Sequence, residues 1–326
     1  ARAGRFTPDD VIERAGSALD RLLTHGVTAV RTHINVTSEV GAVNVHALRQ
    51  VRAAYADLID LQIVALTAAP MTGPDGAGNR AALDAAIEAG IDVVGGCPHL
   101  DTGGAESVRY AFAVAADAEL DIDLHTDETL DPSVLTVRDM ARCVHDLGFS
   151  GRVAASHCVS LGVQPPEMQE AVAKEIAEAR IAVLPQPQTN LYLQGRERPT
   201  GTPRGLTALH PLARAGVLLA AGADNVQDPY NLVGRSDPLE TAALLVMVGH
   251  VSPDEAYAMV SNNGREALGL GRVEYRPGDP ADFLAIDAPS IRGAIADAPM
   301  NRRVYRRGRL VASADQHTTV HPPGAP

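Results

Sequence analysis

The chain has 326 residues, 45% of them hydrophobic, enough to bury the core of one large α/β barrel or of two ordinary domains. Its 28 Lys and Arg against 40 Asp and Glu give a net charge of −12, and no basic run occurs. That balance argues against a nucleic-acid or anionic-membrane partner and favours a small neutral or cationic substrate. Cys97, Cys143 and Cys158 are odd in number and form no C-x-x-C pair, so a disulfide framework and a structural zinc knot are disfavoured and a reducing cytoplasm is the expected location. No apolar stretch approaches the roughly 20 residues of a membrane span.

The first helical pattern, PDDVIERAGSALDRLLTHG, opens on Pro8 and two aspartates and closes on Gly26. It leads into VTAVRTHINV (27 to 36), the first of seven apolar, strand-like runs. The others are LQIVALTA (61 to 68), IDVVGGCPHL (91 to 100), LDIDLHTDE (120 to 128), RVAASHCV (152 to 159), RIAVLPQPQ (180 to 188) and VLLAAGADN (217 to 225). Helical patterns such as AALDAAIEAG and PPEMQEAVAKEIAEAR lie between them, and the starts are roughly 30 residues apart, the size of a strand-plus-helix unit. A doubly wound sheet can hold seven such units, but a TIM-like (β/α)8 barrel whose first strand is missing from this chain fits the polar motifs better. SDPLETAALLVMVGH and SPDEAYAMVSNNGREALGL then read as helices, and GRVEYRPGDPADFLAIDAP with NRRVYRRGRLVAS as short strands. We therefore expect a barrel over 1–271 and, over 272–326, the C-terminal part of a small β subdomain and a tail.

Three polar motifs end three of these strands: His125-Thr-Asp-Glu128, Ser156-His157-Cys158 and Gly222-Ala-Asp224-Asn225. Parallel barrels place their chemistry where strands end, so the three motifs point to one site. A divalent metal brings the pKa of bound water towards neutrality and needs nitrogen and oxygen ligands with one position open. His125 and Asp224 supply an imidazole and a carboxylate for it. Glu128, three residues past His125, lies beyond the strand end and can carry protons without binding metal. His33 and His99 read as hydrogen-bonded structural histidines, Cys97 and Cys158 as packing residues, and the acids of HTDE taken alone as helix caps.

At these residues the sequence resembles the cytosine deaminase branch of the amidohydrolase superfamily. The likeness runs through TAVRTHINV, IDLQIVAL, DVVGGCPH, the three motifs, NLYLQGR (190 to 196), DNVQDPYNLVG (224 to 234) and PGDPADFLAID (277 to 287). It implies a metal-dependent hydrolase barrel in which a water attacks an sp2 carbon of a nitrogen heterocycle. On that likeness Asp224 binds one divalent ion, Zn or Fe, and takes a proton from its water, while His157 hydrogen-bonds the water or the developing oxyanion. Glu128 protonates the substrate, and Asn225, Tyr230 and Ala68 face it. Binuclear relatives bridge two metals through a barrel lysine; Lys174, the only lysine, falls in a helical pattern, so the centre is expected to be mononuclear.

Two departures shape these expectations. The H-x-H pair that the family carries on its first strand does not occur in these residues, and Ala1 is not an initiator methionine, so we expect a trimmed form of a longer enzyme. The competing reading is a degenerate barrel that binds a small ligand or partner without turnover. Where cytosine deaminases present a Pro-Gln pair this chain has Thr67 and Ala68, and Asn225 replaces the second of two paired aspartates. Cytosine itself is thereby disfavoured relative to other aminated or N-alkylated heterocycles. A missing strand would also leave open edges on the first and last strands, which invites association into a homo-oligomer.

Overall fold

A computed structural model describes residues 7–321. The helix Pro8–Thr24 starts where the sequence signals it: the Thr7 hydroxyl accepts from Asp10 N, Pro8 sits in the first turn and Asp9 and Asp10 face the helix dipole. Gly26, at φ +98°, turns the chain into β1 (Ala29–Val36). There follow β2 (Asp60–Thr67), β3 (Val93–Gly96), β4 (Asp121–Thr126), β5 (Val153–His157) and β6 (Ala182–Leu184), all parallel and adjacent in sequence order. A helix joins each strand to the next: Val43–Ala54, Ala77–Glu88, Gly104–Asp117, Thr136–Leu147 and Pro166–Glu178. This is the wiring of a (β/α) barrel, and strands such as β3 and β5, covered on both faces, are buried at every residue.

Two expected strands come out shorter. Within 180–188 only three residues pair, because Pro185 has no N–H to give and Pro187 opens the helix Pro187–Leu193. The run 217–225, read as a seventh strand, supplies a single bridge from Leu219 to Val183. Its Ala-Ala-Gly-Ala stretch offers little for a pleated ladder, and Ala221 N turns instead to Met259 O at 2.9 Å. Among the described residues β1 is paired only with β2, and the run 217–225 forms no strand whose edge could be compared with it.

Close passage of β3 against β2 depends on glycine. A Cβ on Gly95 would lie 2.6 Å from Val64 Cγ1 and 2.8 Å from Ala65 O. Gly95→Ala should therefore lower the unfolding free energy by about 1–3 kcal/mol in urea titrations, as overpacking of a filled interior does.

The helices Pro238–Gly249, Pro253–Met259 and Asn262–Ala267 follow the barrel strands. An antiparallel sheet of β7 (Phe283–Ile286), β8 (Arg302–Arg306) and β9 (Arg309–Ala314) completes the described chain. Two arginines of β8 tie this sheet to the rest. Arg302, with no exposed surface, grips Asp237 through both guanidinium nitrogens at 3.0 and 2.7 Å and also reaches His25 O at 3.0 Å. Arg306 pairs with Asp60 and donates to Ala56 O at 3.0 Å. Asp237 is at the same time the N-cap of the helix Pro238–Gly249, accepting from Leu239 N.

Candidate active site

On β4, alternation sends Ile122 and Leu124 into the apolar core and leaves Asp123 and His125 on the other face, where they meet β1. Asp123 is wholly buried, accepts from Arg31 Nη1 at 2.8 Å and Ser156 Oγ at 2.7 Å, and lies 3.7 Å from His33 Nε2. Burial opposes its charge, but His33 and Arg31 together outweigh that and hold the carboxyl well below the usual carboxylate range. His33, read from sequence as structural, packs edge-on against His125 with ring centroids 4.7 Å apart. His99 fits the structural reading: its Nδ1 lies 2.9 Å from His125 O.

At the end of β5 the backbone goes left-handed at His157 (φ +71°) and Cys158 (φ +48°), conformations that non-glycine residues rarely adopt and that often mark functional sites. The turn brings the His157 ring to 4.7 Å from that of His125. Asp224 arrives from the loop after Leu219, its Oδ2 3.4 Å from His157 Nε2 and 3.9 Å from His125 Nε2. Glu128 Oε1 closes the group, 3.5 Å from His157 Nδ1. The HTDE motif thus divides its labour. Asp127 turns away and caps the helix Thr136–Leu147, accepting from Thr136 N, Thr136 Oγ1 and Val137 N, while Glu128 faces the cluster.

Ligand atoms of His125, His157 and Asp224 all lie within 4.8 Å of one another. His125 Nδ1, His157 Nε2 and His33 Nε2 are buried without a hydrogen-bond partner. Burial depresses the His157 pKa to about 3. His125 is also held well below the usual imidazole range, by burial first and then by the neighbouring His157 and His33. Burial likewise raises Asp224 to about 6, with His33 pulling it down and Asp228 and Asp123 pushing it up. Glu128 is pushed up to about 8, by burial first and then by the charge of Asp224. Neutral imidazoles beside a carboxylate, with orphaned buried nitrogens, form a donor set that a divalent cation satisfies. The residues present therefore fit a metal.

Two residues that the motif reading passed over hold the cluster together, both on the helix Pro187–Leu193. Thr189 donates its hydroxyl to Asp224 O and accepts from Asn225 N at 2.9 Å. Asn190 has no exposed surface; its Nδ2 lies 3.2 Å from Glu128 Oε1 and 3.1 Å from His157 Nδ1. The only sequence signal for either is that the family-like run NLYLQGR begins at Asn190.

The expected substrate contacts are placed less uniformly. Asn225 follows Asp224 and is half-buried, its carbonyl accepting from Asn231 Nδ2 at 2.7 Å. Ala68 is half-buried just past β2; the hydroxyl of Thr67 before it is already used on Gly95 O at 3.1 Å, so neither residue has a free amide to offer. Tyr230 is 57% exposed on the loop after Asp224. The Cys97 thiol is pushed up to about 12 by burial and by Glu128 and Asp224, which suits the packing role expected of it.

Residues 3–316 match the amidohydrolase family. A pterin deaminase of Rhizobium rhizogenes (strain K84) is 32% identical over 317 residues, covering 95% of this chain and 71% of that protein. An N-isopropylammelide isopropyl amidohydrolase of Pseudomonas sp. (strain ADP) is 23% identical over 297 residues, covering 88% and 69%. Among solved structures, 5-methylcytosine deaminase from Klebsiella pneumoniae liganded with 5-fluorocytosine superposes with a TM-score of 0.89 at 28% identity, covering 98% of this chain and 79% of that one. With the motifs at strand ends and the His-His-Asp cluster they form, these likenesses establish that the chain belongs to the amidohydrolase family, in its deaminase-like branch.

Proposed function

We propose that this protein hydrolyses the bond between a ring carbon and an exocyclic amino or alkylamino nitrogen on a small nitrogen heterocycle, using one divalent metal ion. The observation that carries the reading is the convergence of two neutral histidines, Asp224 and Glu128 at one end of the parallel sheet. His125 and Asp224 would hold the ion. When bound, the ion supplies a water that is acidic enough to attack near neutral pH.

Asp224, with its carboxylate beside both imidazoles, would take a proton from the attacking water. Glu128, its pKa raised to about 8 by burial, would hold a proton at neutral pH and give it to a ring nitrogen; the proton held by Asp224 would then pass to the departing nitrogen, and the hydroxyl on the ring carbon would return its proton to Glu128 as the C–N bond breaks. A C–O bond forms, the C–N bond breaks, ammonia or an alkylamine leaves and the ring carbon becomes a carbonyl. His157 would hydrogen-bond the oxygen on which negative charge develops. Its low basicity suits hydrogen bonding in the neutral form.

On the substrate side, Thr67 and Ala68 present no amide that would read a pyrimidine edge. The pterin-acting relative at 32% identity favours an amino-substituted pteridine, and the isopropylammelide-acting relative keeps alkylamino-triazines in view. The test is to supply Zn2+ or Fe2+ to the full chain and follow ammonia or alkylamine release from aminopteridines, cytosines and N-alkylamino-triazines. Metal-dependent release from at least one class is expected; a chain that binds these compounds and releases no amine is a binding protein instead.

A further inference from the structure

We infer that Asn190 is a positioning residue that fixes the ring proton of His157 on Nε2 while holding Glu128 beside it. The inference rests on the roles just proposed for His157 and Glu128. A fully buried carboxamide must place its donors and acceptor against complementary groups. Asn190 has two such groups in reach, Glu128 Oε1 at 3.2 Å from Nδ2 and His157 Nδ1 at 3.1 Å from Nδ2 and 3.4 Å from Oδ1. The carboxyl oxygen Oε1 accepts a hydrogen bond whether Glu128 is ionised or carries its proton on Oε2. The NH2 end of the amide therefore belongs on the Glu128 side.

That NH2 group has a second hydrogen, and the nearest acceptor for it is His157 Nδ1. An imidazole nitrogen that accepts has no proton of its own, so in the neutral ring the proton resides on Nε2. Nε2 is the atom 3.4 Å from Asp224 Oδ2 and otherwise without a partner. An N–H there is a hydrogen-bond donor aimed at the reacting oxygen and is not a metal ligand. The three-residue cluster of ligand atoms then resolves into two ligands, His125 and Asp224, and one donor, His157. One amide thus links the proton carrier to the oxyanion donor, and Thr189 next to it fixes the backbone of Asp224.

The test is a long-range 1H–15N correlation spectrum of the full chain labelled with 15N-histidine, with His157→Gln used to assign the ring. Wild type should show His157 protonated at Nε2 and unprotonated at Nδ1. Asn190→Leu, which keeps the branched shape and removes the amide donors and acceptor, should populate the other tautomer. It should also lower kcat by about 10- to 100-fold, the usual effect of losing a group that orients a site residue, with KM nearly unchanged. A wild-type ring protonated at Nδ1 overturns the inference, as does an Asn190→Leu protein with an unaltered tautomer and unaltered kcat. The spectra need no turnover, so they test the tautomer and its dependence on Asn190 even if no heterocycle is hydrolysed. Conversely, turnover by a chain whose His157 is protonated at Nδ1 overturns this inference and leaves the proposed reaction standing.

Discussion

Glu128→Gln should keep its metal and lose turnover, with kcat falling by about 10²- to 10⁴-fold, the range that general acid–base help supplies. Glutamine preserves the reach of the side chain, and its carbonyl can still accept from Asn190 Nδ2, now 3.2 Å from Oε1. What it removes is the titrating proton. The same variant has a second signature in the metal-free chain, where the folded-state pKa of Glu128 is about 8 against an ordinary value of 4.5. Between those values the folded state binds the proton more tightly than the unfolded one, so wild type loses stability as pH rises through that window. Glu128→Gln should flatten that slope and be the more stable protein at pH 8. Equal slopes in urea titrations at pH 5 and pH 8, or near-normal turnover, would remove Glu128 from the role of proton carrier.

Arg302→Leu should destabilise the fold by about 3–5 kcal/mol, because it leaves the carboxylate of Asp237 buried and unpaired. Both groups are nearly without exposed surface and their bond is bidentate, so solvent cannot take over the lost partner. Pairing the substitution with Asp237→Asn separates the ion pair from packing. Asparagine remains a good N-cap for the helix Pro238–Gly249, and the double variant, which buries no unpaired charge, should recover part of the loss. A single Arg302→Leu variant whose urea midpoint matches wild type would mean that β8 is held to the barrel by something else.

The barrel strands were readable because parallel strands covered on both faces are continuous apolar runs; their spacing gave repeated strand-plus-helix units, and the polar motifs at their ends favoured a barrel over a doubly wound sheet. The reading failed where backbone chemistry cut pairing short. Pro185 and Pro187 end β6 after three residues, and Ala220 to Ala223 have too little side chain to sustain a ladder beyond Leu219. His125, Glu128, His157 and Asp224 stood out because strand ends collect chemistry and each sits in a polar break after an apolar run. Inside such a run, Asp123 on the inward face looks no different from a polar residue on the outer rim, so its pairing with Arg31 and its neighbour His33 were hidden. Asn190 and Thr189 were hidden for another reason. They act from a seven-residue helix after β6, and so short a helix carries little periodic signal to say which of its residues faces inward. Arg302 looked like one more basic residue of NRRVYRRGR until its partner 65 positions away was seen.

The account stands on His125 and Asp224 holding one ion whose water does the chemistry. The most direct check is metal content and turnover measured on the same preparations of wild type and Asp224→Asn after stripping and titration with Zn2+ or Fe2+. We expect about one ion per wild-type chain, with activity rising in proportion to occupancy, and loss of both metal and rate in Asp224→Asn, since one carboxylate serves as ligand and base. A wild-type chain that takes up no ion, or an Asp224→Asn chain that binds metal and turns over as wild type does, contradicts it.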